Sequence, residues 1–445
     1  MQTQKIKANI ISLGCSKNLV DAECMSRILL DEKIDLVPTP DEAGVVIVNT
    51  CGFIESAKRE AIDVILEIAE KKKAGICEFL IVTGCLAQRY EKDIISDLPE
   101  VDAILGTSSY QEIGRTVLSL YGQNTQEAEP KSPLGHMRLN RLVSTDGYAW
   151  LKIAEGCSRR CAFCAIPMIR GQYISRPVED IVEEAENLAA QGFGEIILTA
   201  QDTTFYGMDL YKKRMLPELI RKLSRIDGIR LLRIMYTYSD GITEDLISEM
   251  KSNPKVAKYL DMPIQHGDNR ILKAMNRHDT AESIFTVVER LRKEMPDIVI
   301  RTTVLVGFPG ETQEAFLRLK ELVEKISFDR MGGFVFSPEE GTPAEKMPDP
   351  VPQETAQQRL DEVMVLQKQI TEKRNMSRIG QITDVLIESV SEDGIFYIGR
   401  SYGEAPEVDS SVYVLAPHKA LDIGEVIPVR IVNAEHYELI GEALS

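Results

Sequence analysis

The sequence predicts an α/β protein of three units: an open α/β unit, an incomplete barrel of six β/α repeats and a small antiparallel β barrel. The length of 445 residues accommodates about three domains of ~150 residues each. Short β-branched runs alternate with amphipathic helical segments as far as residue 336. After residue 378 the pattern changes to alternating apolar and polar residues with Gly, Pro and Asp-Gly turns, which is typical of antiparallel strands.

The composition excludes several classes of protein. Hydrophobic residues make up 44% and charged residues 27%, which excludes a mainly disordered or collagen-like chain. No stretch approaches the ~20 apolar residues that cross a bilayer. The opening MQTQKIKANIISLG lacks the apolar core of a signal peptide. We therefore expect a water-soluble, cytoplasmic protein with no membrane partner.

The net charge of −17 argues against a chain whose whole surface binds nucleic acid. The excess is uneven, because residues 378–445 carry 12 acidic and 4 basic side chains. An RNA-binding barrel should be basic so that it meets phosphates. Complementary charge steers partners together, so this acidic unit favours a basic protein as the partner.

Residues 1–121 repeat a strand–cysteine–helix pattern three times. The runs are ANIISLGC, GVVIVNTC and FLIVTGC, which end at Cys15, Cys51 and Cys85. Each run predicts a buried parallel strand, and a helical pattern follows it. Because ligands of open α/β sheets collect beyond the carboxyl ends of the strands, we expect the three cysteines to meet at one edge of the sheet.

The rest of the chain divides at two changes of pattern. Residues 122–146 lack periodicity and are predicted to be a linker. Residues 147–374 contain six candidate strands and end in a helical segment, and six repeats fall short of the eight of a closed barrel. Residues 375–445 are predicted to form the antiparallel barrel. The six strand segments are YAWLKIA, EIILTA, RLLRIMY, VAKYLDMPI, IVIRTTVLVGF and RMGGFVF.

Cys157, Cys161 and Cys164 form a C-x3-C-x2-C motif directly after the first barrel strand. In a large chain without an export signal, clustered cysteines indicate metal or redox chemistry rather than disulfides. A structural zinc site is the alternative, but zinc usually takes four ligands and no fourth ligand is nearby. An iron–sulfur cube tolerates three thiolates and leaves one iron open. An open iron can chelate S-adenosylmethionine (SAM) and pass it an electron, which yields a radical able to break unactivated C–H bonds.

The spacing of Cys15, Cys51 and Cys85 favours a second cluster. Taken singly, each would be assigned as a small buried hydrophobic residue. Three cysteines in register at strand ends, 36 and then 34 residues apart, favour a second iron–sulfur cluster with three thiolates and an open iron. Cys24 and Cys77 lack such neighbours and are assigned to packing.

With both cysteine sets in place, the chain resembles the methylthiotransferases of the radical SAM superfamily over essentially its whole length. The first of the matching motifs, Ser12 to Asp21, resembles the branch that acts on a ribosomal protein rather than the tRNA-modifying branch. The resemblance implies that the incomplete barrel is a radical SAM core and that the C-terminal barrel is TRAM-like. The matching motifs are SLGCSKNLVD, NTCGFIESAKREAI, VTGCLAQRY, EGCSRRCAFCAIP, MPIQHG, VGFPGET and FSPEEGTPA.

The resemblance also implies cofactors, a substrate and partners. The implied cofactors are SAM and two [4Fe-4S] clusters. The implied reaction adds a methylthio group to the β-carbon of an aspartate in the small-subunit ribosomal protein uS12, with one SAM as methyl donor and a second as radical source. We expect an electron donor such as flavodoxin or ferredoxin, and no stable nucleic-acid binding. The implied ligands are Cys157, Cys161 and Cys164 for the SAM-binding cluster, and Cys15, Cys51 and Cys85 for the auxiliary cluster.

Weaker signals mark further residues of the barrel. Gln201 and Asp202 follow a strand, and Arg301 lies on the strand before VGFPGE. Since strand ends of such barrels face the active site, these residues are candidates to contact SAM or substrate. Gly307 and Gly310 lie at a strand-to-helix turn where a backbone can approach a nucleoside of SAM, and an ordinary turn is the alternative.

Two other functions stay open at this point. One is methylthiolation of a tRNA adenosine with the same cofactors, for which the acidic barrel is unfavourable. The other is a non-catalytic iron–sulfur protein that carries electrons or senses redox state. Two clusters with an open iron on an incomplete barrel are hard to explain in such a protein. His266 in PIQHG is either a recognition residue or a structural histidine.

Overall fold

A computed structural model describes residues 5–123, 130–416 and 420–444. The N-terminal unit is a five-stranded parallel sheet in the order β2-β1-β3-β4-β5, with helices between the strands. Its elements are β1 (Lys7–Ser12), α1 (Ser16–Asp31), β2 (Asp35–Leu36), β3 (Val45–Thr50), α2 (Glu55–Lys73), β4 (Phe79–Gly84), α3 (Cys85–Asp97), β5 (Ala103–Leu105) and α4 (Ile113–Leu120).

The strand order of this sheet places a ligand site at a particular point. Apolar runs such as VVIV at the start of β3 are buried on both faces, which suits a parallel sheet covered by helices. The order reverses between β1 and β3, and such a switch point opens a crevice beyond the carboxyl ends of the strands. Cys51 follows β3 directly and Cys15 follows β1 after two residues, so they flank the crevice.

The central unit is a six-stranded parallel sheet in the order β13-β12-β11-β10-β9-β6, which confirms the six predicted β/α repeats. A two-residue antiparallel pair, β7 and β8, follows the first strand. The elements are β6 (Tyr148–Lys152), β7 (Ala154–Glu155), α5 (Ile166–Arg170), β8 (Ile174–Ser175), α6 (Val178–Ala190), β9 (Glu195–Thr199), α7 (Leu216–Leu223), β10 (Leu231–Ile234), α8 (Glu244–Ser252), β11 (Val256–Asp261), α9 (Asn269–Ala274), α10 (Ala281–Glu294), β12 (Val299–Val306), α11 (Gln313–Ile326), β13 (Arg330–Val335) and α12 (Gln353–Met376).

The C-terminal unit is a closed barrel in the order β14-β15-β16-β18-β17. The sequence predicted antiparallel strands, and the structure differs in one pair, because β16 and β18 run parallel. The alternating segments QITDVLIESV, GIFYIGRS, SVYVLA and EVIPVRIV predicted four strands. The fifth strand, ELIGEA, was missed because it is short and contains a glycine and two glutamates. The strands are β14 (Ile382–Val390), β15 (Tyr397–Arg400), β16 (Val412–Leu415), β17 (Val426–Glu435) and β18 (Glu438–Ala443).

The two faces of the six-stranded sheet have different partners. On one face, alternate strand residues such as Ile196 and Leu198 pack in a large apolar core with the flanking helices. On the other face, Trp150 and Ile197 pack in a separate apolar cluster that includes residues of α1 and of the C-terminal unit. All three units therefore meet on the inner face of the barrel.

Residues 400–409 of the C-terminal unit form polar contacts with the barrel strands. Arg233 of β10 donates to the carbonyl of Tyr402 at 2.7 Å. Tyr259 of β11 donates its hydroxyl to Asp409 at 2.7 Å. Arg400 pairs with Glu195 at 3.0 Å, at the start of β9. These bonds hold residues 400–409 against the inner face of the six-stranded sheet.

The predicted linker is more closely packed than its sequence suggests. Its described residues, 122–123 and 130–146, contain no helix or strand, and residues 124–129 lie outside the described part of the chain. His136 is fully buried and bonds Asp21 at 2.7 Å. Arg141 is fully buried as well and pairs with Glu23 of α1 and with Glu184 of α6, the latter at 2.7 Å. No helix in the described ranges is both long and apolar enough to cross a membrane.

Replacing Arg141 tests whether this linker holds the N-terminal unit on the barrel. Arg141→Ala leaves the buried carboxylate of Glu23 without its cation, which typically costs about 3–5 kcal/mol of unfolding free energy. Arg138→Ala is the matched control, because the bonds of the Arg138 side chain within the described residues go to the nearby carbonyls of Gly135 and Met137. We expect urea unfolding to show a large loss for Arg141→Ala and a small one for Arg138→Ala. Equal losses would contradict this role.

Candidate functional site

The C-x3-C-x2-C loop lies at the carboxyl ends of the barrel strands, called here the barrel mouth. The amide of Cys157 donates to the carbonyl of Gly171 at 3.1 Å, and that of Cys164 donates to the carbonyl of Cys161 at 3.1 Å. Burial raises the pKa of Cys157 to about 11, and the neighbouring thiol of Cys161 adds to the rise. Burial also raises the pKa of Cys164, again with a contribution from the other two thiols. The structure thus brings these three cysteines together.

Charged and aromatic side chains surround this loop. Arg159 donates to Asp202 at 2.6 Å and to Asp240 at 2.6 Å, and its guanidinium lies over the ring of Tyr238. The hydroxyl of Tyr238 lies 3.7 Å from the thiol of Cys161. A cavity of about 160 Å³ opens beside Cys157 and is also lined by Arg159, Tyr173, Asp202 and His278. The loop therefore borders a polar recess at the barrel mouth.

Cys15, Cys51 and Cys85 lie together at the switch point of the N-terminal sheet. Cys15 precedes α1, Cys51 follows β3 and Cys85 begins α3. Gly14 has a φ of +92°, and a Cβ there would lie 2.6 Å from the Cβ of Cys51, so only glycine allows these two loops to approach. Burial raises the pKa of Cys85 to about 12, and the thiols of Cys15 and Cys51 raise it further. The predicted convergence of the three strand ends is what the structure shows.

Sequence reasoning missed Asn18, a fully buried residue of α1 that ties these loops together. Its side-chain nitrogen donates to the carbonyls of Leu13 and Thr50, both at 2.9 Å. Its side-chain oxygen lies 3.7 Å from the thiol of Cys85. One amide thus contacts the segments that carry all three cysteines. Only the presence of an asparagine beside the first cysteine motif signalled it in the sequence.

Arg170 connects the two cysteine sets. It ends α5, the helix that follows Cys164, and donates to the oxygen of Asn18 at 2.6 Å. It also pairs with Asp21 at 3.0 Å and with Glu155 at 2.9 Å. Although burial opposes ionisation of Asp21, the charges of Lys152 and Arg170 hold its pKa well below its usual range. This buried ion network therefore lies between the two candidate sites.

The donor sets fit iron–sulfur clusters. Each set offers three free thiols, which is the donor chemistry that iron–sulfur clusters use. Arg170 places a positive charge near Cys85, which favours its thiolate form. In the described part of the chain, no group of three His, Cys, Asp or Glu side chains is arranged to hold a single metal ion.

The weaker candidates at the strand ends differ in their surroundings. Gln201 is half-buried at the end of β9. Asp202 is buried, caps the turn at residues 203–205 and pairs with Arg159. Arg301 pairs with Asp261 at 3.0 Å and lies 3.5 Å from Asp409 of the C-terminal unit, so its charge is already compensated.

The glycines and His266 have structural partners. Gly307 has a φ of +77°, and a Cβ there would lie 2.5 Å from the Cβ of Ala356 on α12, so helix packing requires this glycine. Gly310 has a φ of +79° with open space around it. His266 is fully buried, its Nδ1 accepts from the amide of Asp268 at 2.9 Å, and its Nε2 lies 3.4 Å from Glu311. These contacts favour the structural interpretation of His266.

Three protein-family models match the chain. Residues 151–323 match the radical SAM superfamily, residues 7–106 match the uncharacterized protein family UPF0004, and residues 379–444 match the TRAM domain.

Two solved structures share the fold. The radical SAM methyltransferase TsrM from Kitasatospora setae, with cobalamin and a [4Fe-4S] cluster bound, has a TM-score of 0.58 and 14% identity, covering 77% of this chain and 74% of that chain. The cobalamin-dependent radical SAM enzyme OxsB has a TM-score of 0.53 and 12% identity, covering 82% of this chain and 56% of that chain. At these identities the likeness concerns the fold alone.

Curated relatives match over nearly the full length. The protein named ribosomal protein uS12 methylthiotransferase RimO from Acetivibrio thermocellus is 48% identical over 99% of both chains. Relatives with the same name from Clostridioides difficile and Caldicellulosiruptor saccharolyticus are 47% and 46% identical, over 99% of this chain and 99% and 100% of theirs. These identities over nearly the full length, together with the radical SAM match, show that the chain belongs to the RimO family of radical SAM methylthiotransferases.

Proposed function

We propose that this enzyme adds a methylthio group to the β-carbon of an aspartate in ribosomal protein uS12, using SAM and two [4Fe-4S] clusters. The observation that carries the proposal is the position of two three-cysteine sets on either side of Asn18 and Arg170. The relatives that are named for uS12 support the choice of substrate.

The chain's own residues would hold both clusters beside the barrel mouth. When bound, the clusters supply one electron to SAM and an open iron for the sulfur that is transferred. Cys85, Cys157 and Cys161 are buried, Cys51 and Cys164 are half-buried, and Cys15 is exposed. Arg170 compensates negative charge between the two sites. The proposed ligands are Cys157, Cys161 and Cys164 for the SAM-binding cluster, and Cys15, Cys51 and Cys85 for the auxiliary cluster.

Gln201 is the best placed of the proposed SAM contacts. It follows β9 at the barrel mouth, and its side chain makes no hydrogen bond to the residues that the structure describes. Arg301, Gly307 and Gly310 are proposed in second place, because Asp261 and the packing of α12 already account for the first two.

The charge of the C-terminal barrel supports a protein substrate rather than tRNA. Not every acid of this unit is available to a partner. Glu404 is buried, and although burial opposes its ionisation, Arg378 and Arg330 lower its pKa to about 2. Asp409 is committed to Tyr259 and Arg301. The exposed acids are Asp384, Glu392, Asp393, Glu407, Asp422, Glu435, Glu438 and Glu442, and these would meet a basic ribosomal protein.

The electron donor and the location follow from the proposed reaction. A one-electron carrier such as flavodoxin or ferredoxin is proposed as the donor, because SAM cleavage consumes one electron at a time. The cytoplasm is the proposed location, because the proposed substrate is a component of the ribosome.

Iron content tests the proposed number of clusters. Two four-iron cubes give about eight irons per chain after anaerobic reconstitution. Replacing Cys157, Cys161 and Cys164 together by Ala should leave about half of that, because the auxiliary ligands are untouched. A variant that retains all of the iron or none of it would contradict two separate sites.

Removing the other three thiols tests the proposed division of roles. In a Cys15→Ala, Cys51→Ala, Cys85→Ala variant, reductive cleavage of SAM should persist because its own cluster ligands remain. Methylthiolation of a uS12 peptide, followed by mass spectrometry, should vanish because the site for the transferred sulfur is lost. Product formation at the parent rate would refute the assignment.

Reversing exposed acids tests the docking role of the C-terminal barrel. Changing Glu392, Glu435, Glu438 and Glu442 to Lys should lower the affinity for uS12. The affinity should also depend less on salt concentration, because salt screens exposed charges beyond ~8 Å at physiological ionic strength. The control changes four exposed acids of α6 to Lys and should leave binding unchanged. Equal binding in both variants would favour a purely solubilising role for the acids and reopen the tRNA alternative. The control residues are Glu179, Asp180, Glu183 and Glu186.

A further inference from the structure

Lys17 is a largely buried cation to which the described residues supply no anionic partner. It is the second residue of α1, two positions after Cys15, and only 4% of it is exposed. Its Nζ lies 2.9 Å from the centroid of the Tyr236 ring. Among the residues that the structure describes, no carboxylate or other hydrogen-bond acceptor contacts this Nζ.

The other buried cations nearby are all paired. Lys152 bonds Glu155 at 2.8 Å and also contacts Asp21, and Arg170 bonds the same two carboxylates. An ammonium on a side chain with so little access to water is costly without an anion, and contact with an aromatic face offsets only part of that cost. A cation kept in this state is a candidate for binding an anion that arrives with a ligand.

The acids around Lys17 are already committed. Asp261 pairs with Arg301 at 3.0 Å and accepts from the amide of Tyr236 at 3.1 Å. Asp21, on the same helix as Lys17, bonds His136 and two buried cations. The anion for Lys17 is therefore not supplied by these neighbours.

The position of Lys17 points to the reacting group. Tyr236 follows β10 at the barrel mouth. Its φ of +59° is left-handed, a backbone conformation that residues other than glycine rarely adopt. Two residues later, Tyr238 reaches the thiol of Cys161 at 3.7 Å. Lys17 thus lies between Cys15 of one cysteine set and the tyrosines that border the other set.

We propose that Lys17 binds the carboxylate of the substrate aspartate, an inference that rests on the proposed function. The β-carbon of an aspartate is bonded directly to its carboxyl carbon, so an ammonium that fixes the carboxylate also fixes the carbon that is modified. An asparagine side chain at the same place leaves Lys17 without an anion. Lys17 is in this way a specificity-determining residue for aspartate.

A double-mutant cycle tests this role on the reconstituted holoenzyme. Binding of uS12 peptides with Asp or Asn at the target position is measured with SAM present and no reductant, so that no turnover occurs. The parent should prefer the Asp peptide by roughly 10- to 100-fold, the effect of a hydrogen bond to a charged group. The Lys17→Met enzyme should bind the Asp and Asn peptides with affinities that differ by no more than about twofold. The Lys17→Arg enzyme should recover part of the preference for the Asp peptide.

Three controls separate the possible causes. Lys213→Met changes an exposed lysine that pairs with Glu218 and should keep the parent preference. Iron content and SAM affinity of Lys17→Met should equal those of the parent. Lys17→Gln provides a second uncharged variant if methionine disturbs the folding of α1, as judged by thermal unfolding.

The remaining outcomes overturn the inference. A Lys17→Met enzyme that keeps the Asp preference shows that Lys17 does not read the target side chain. Weaker SAM binding with equal effects on both peptides assigns Lys17 to the carboxylate of SAM instead. A parent holoenzyme that neither binds nor modifies the Asp peptide refutes the proposed substrate, and the role of Lys17 with it.

Discussion

The arrangement of the two cysteine sets depends on the buried ion pairs of Arg170 with Asp21 and Glu155. Each of these charges is costly to bury alone, so the network is stable only when the N-terminal unit and the barrel are both in place. Asn18 fixes the orientation of these groups by hydrogen bonds. Its side-chain oxygen accepts from Arg170, and its side-chain nitrogen donates to the loops that carry Cys15 and Cys51. Electrostatic pairing and loop geometry are thus fixed by the same few atoms.

The inner face of the barrel imposes a second constraint. An open six-stranded sheet exposes apolar side chains on its inner surface, and these need a cover. Here α1 supplies one part of the cover and residues 400–409 supply another. The helix that covers the sheet also carries Lys17 and Asn18, so closure of the barrel and completion of the candidate site are one event.

Much of the fold could be predicted because its signals are local. β-Branched runs such as VVIV at Val45 mark strands, and cysteines placed directly after them must gather where parallel strands end. The roles of Asn18 and Arg170 could not be predicted, because they depend on contacts between residues about 150 positions apart. The same reason hid the burial of Arg141 within an aperiodic segment. Gly307 was a candidate for nucleoside approach, whereas the contact that requires it comes from α12.

The contact of residues 400–409 with the inner face of the barrel has a consequence for biosynthesis. The ribosome makes the chain from its amino terminus, and domains tend to fold in that order. The barrel strands that bear Glu195 and Arg330 emerge long before their partners Arg400 and Glu404. Until those partners are made, this face of the nascent barrel is uncovered, Glu195 has only Arg233 as its cation among the described residues, and Arg330 lacks the carboxylate of Glu404. Synthesis of residues 400–409 is therefore the step that first permits this face of the barrel to be covered.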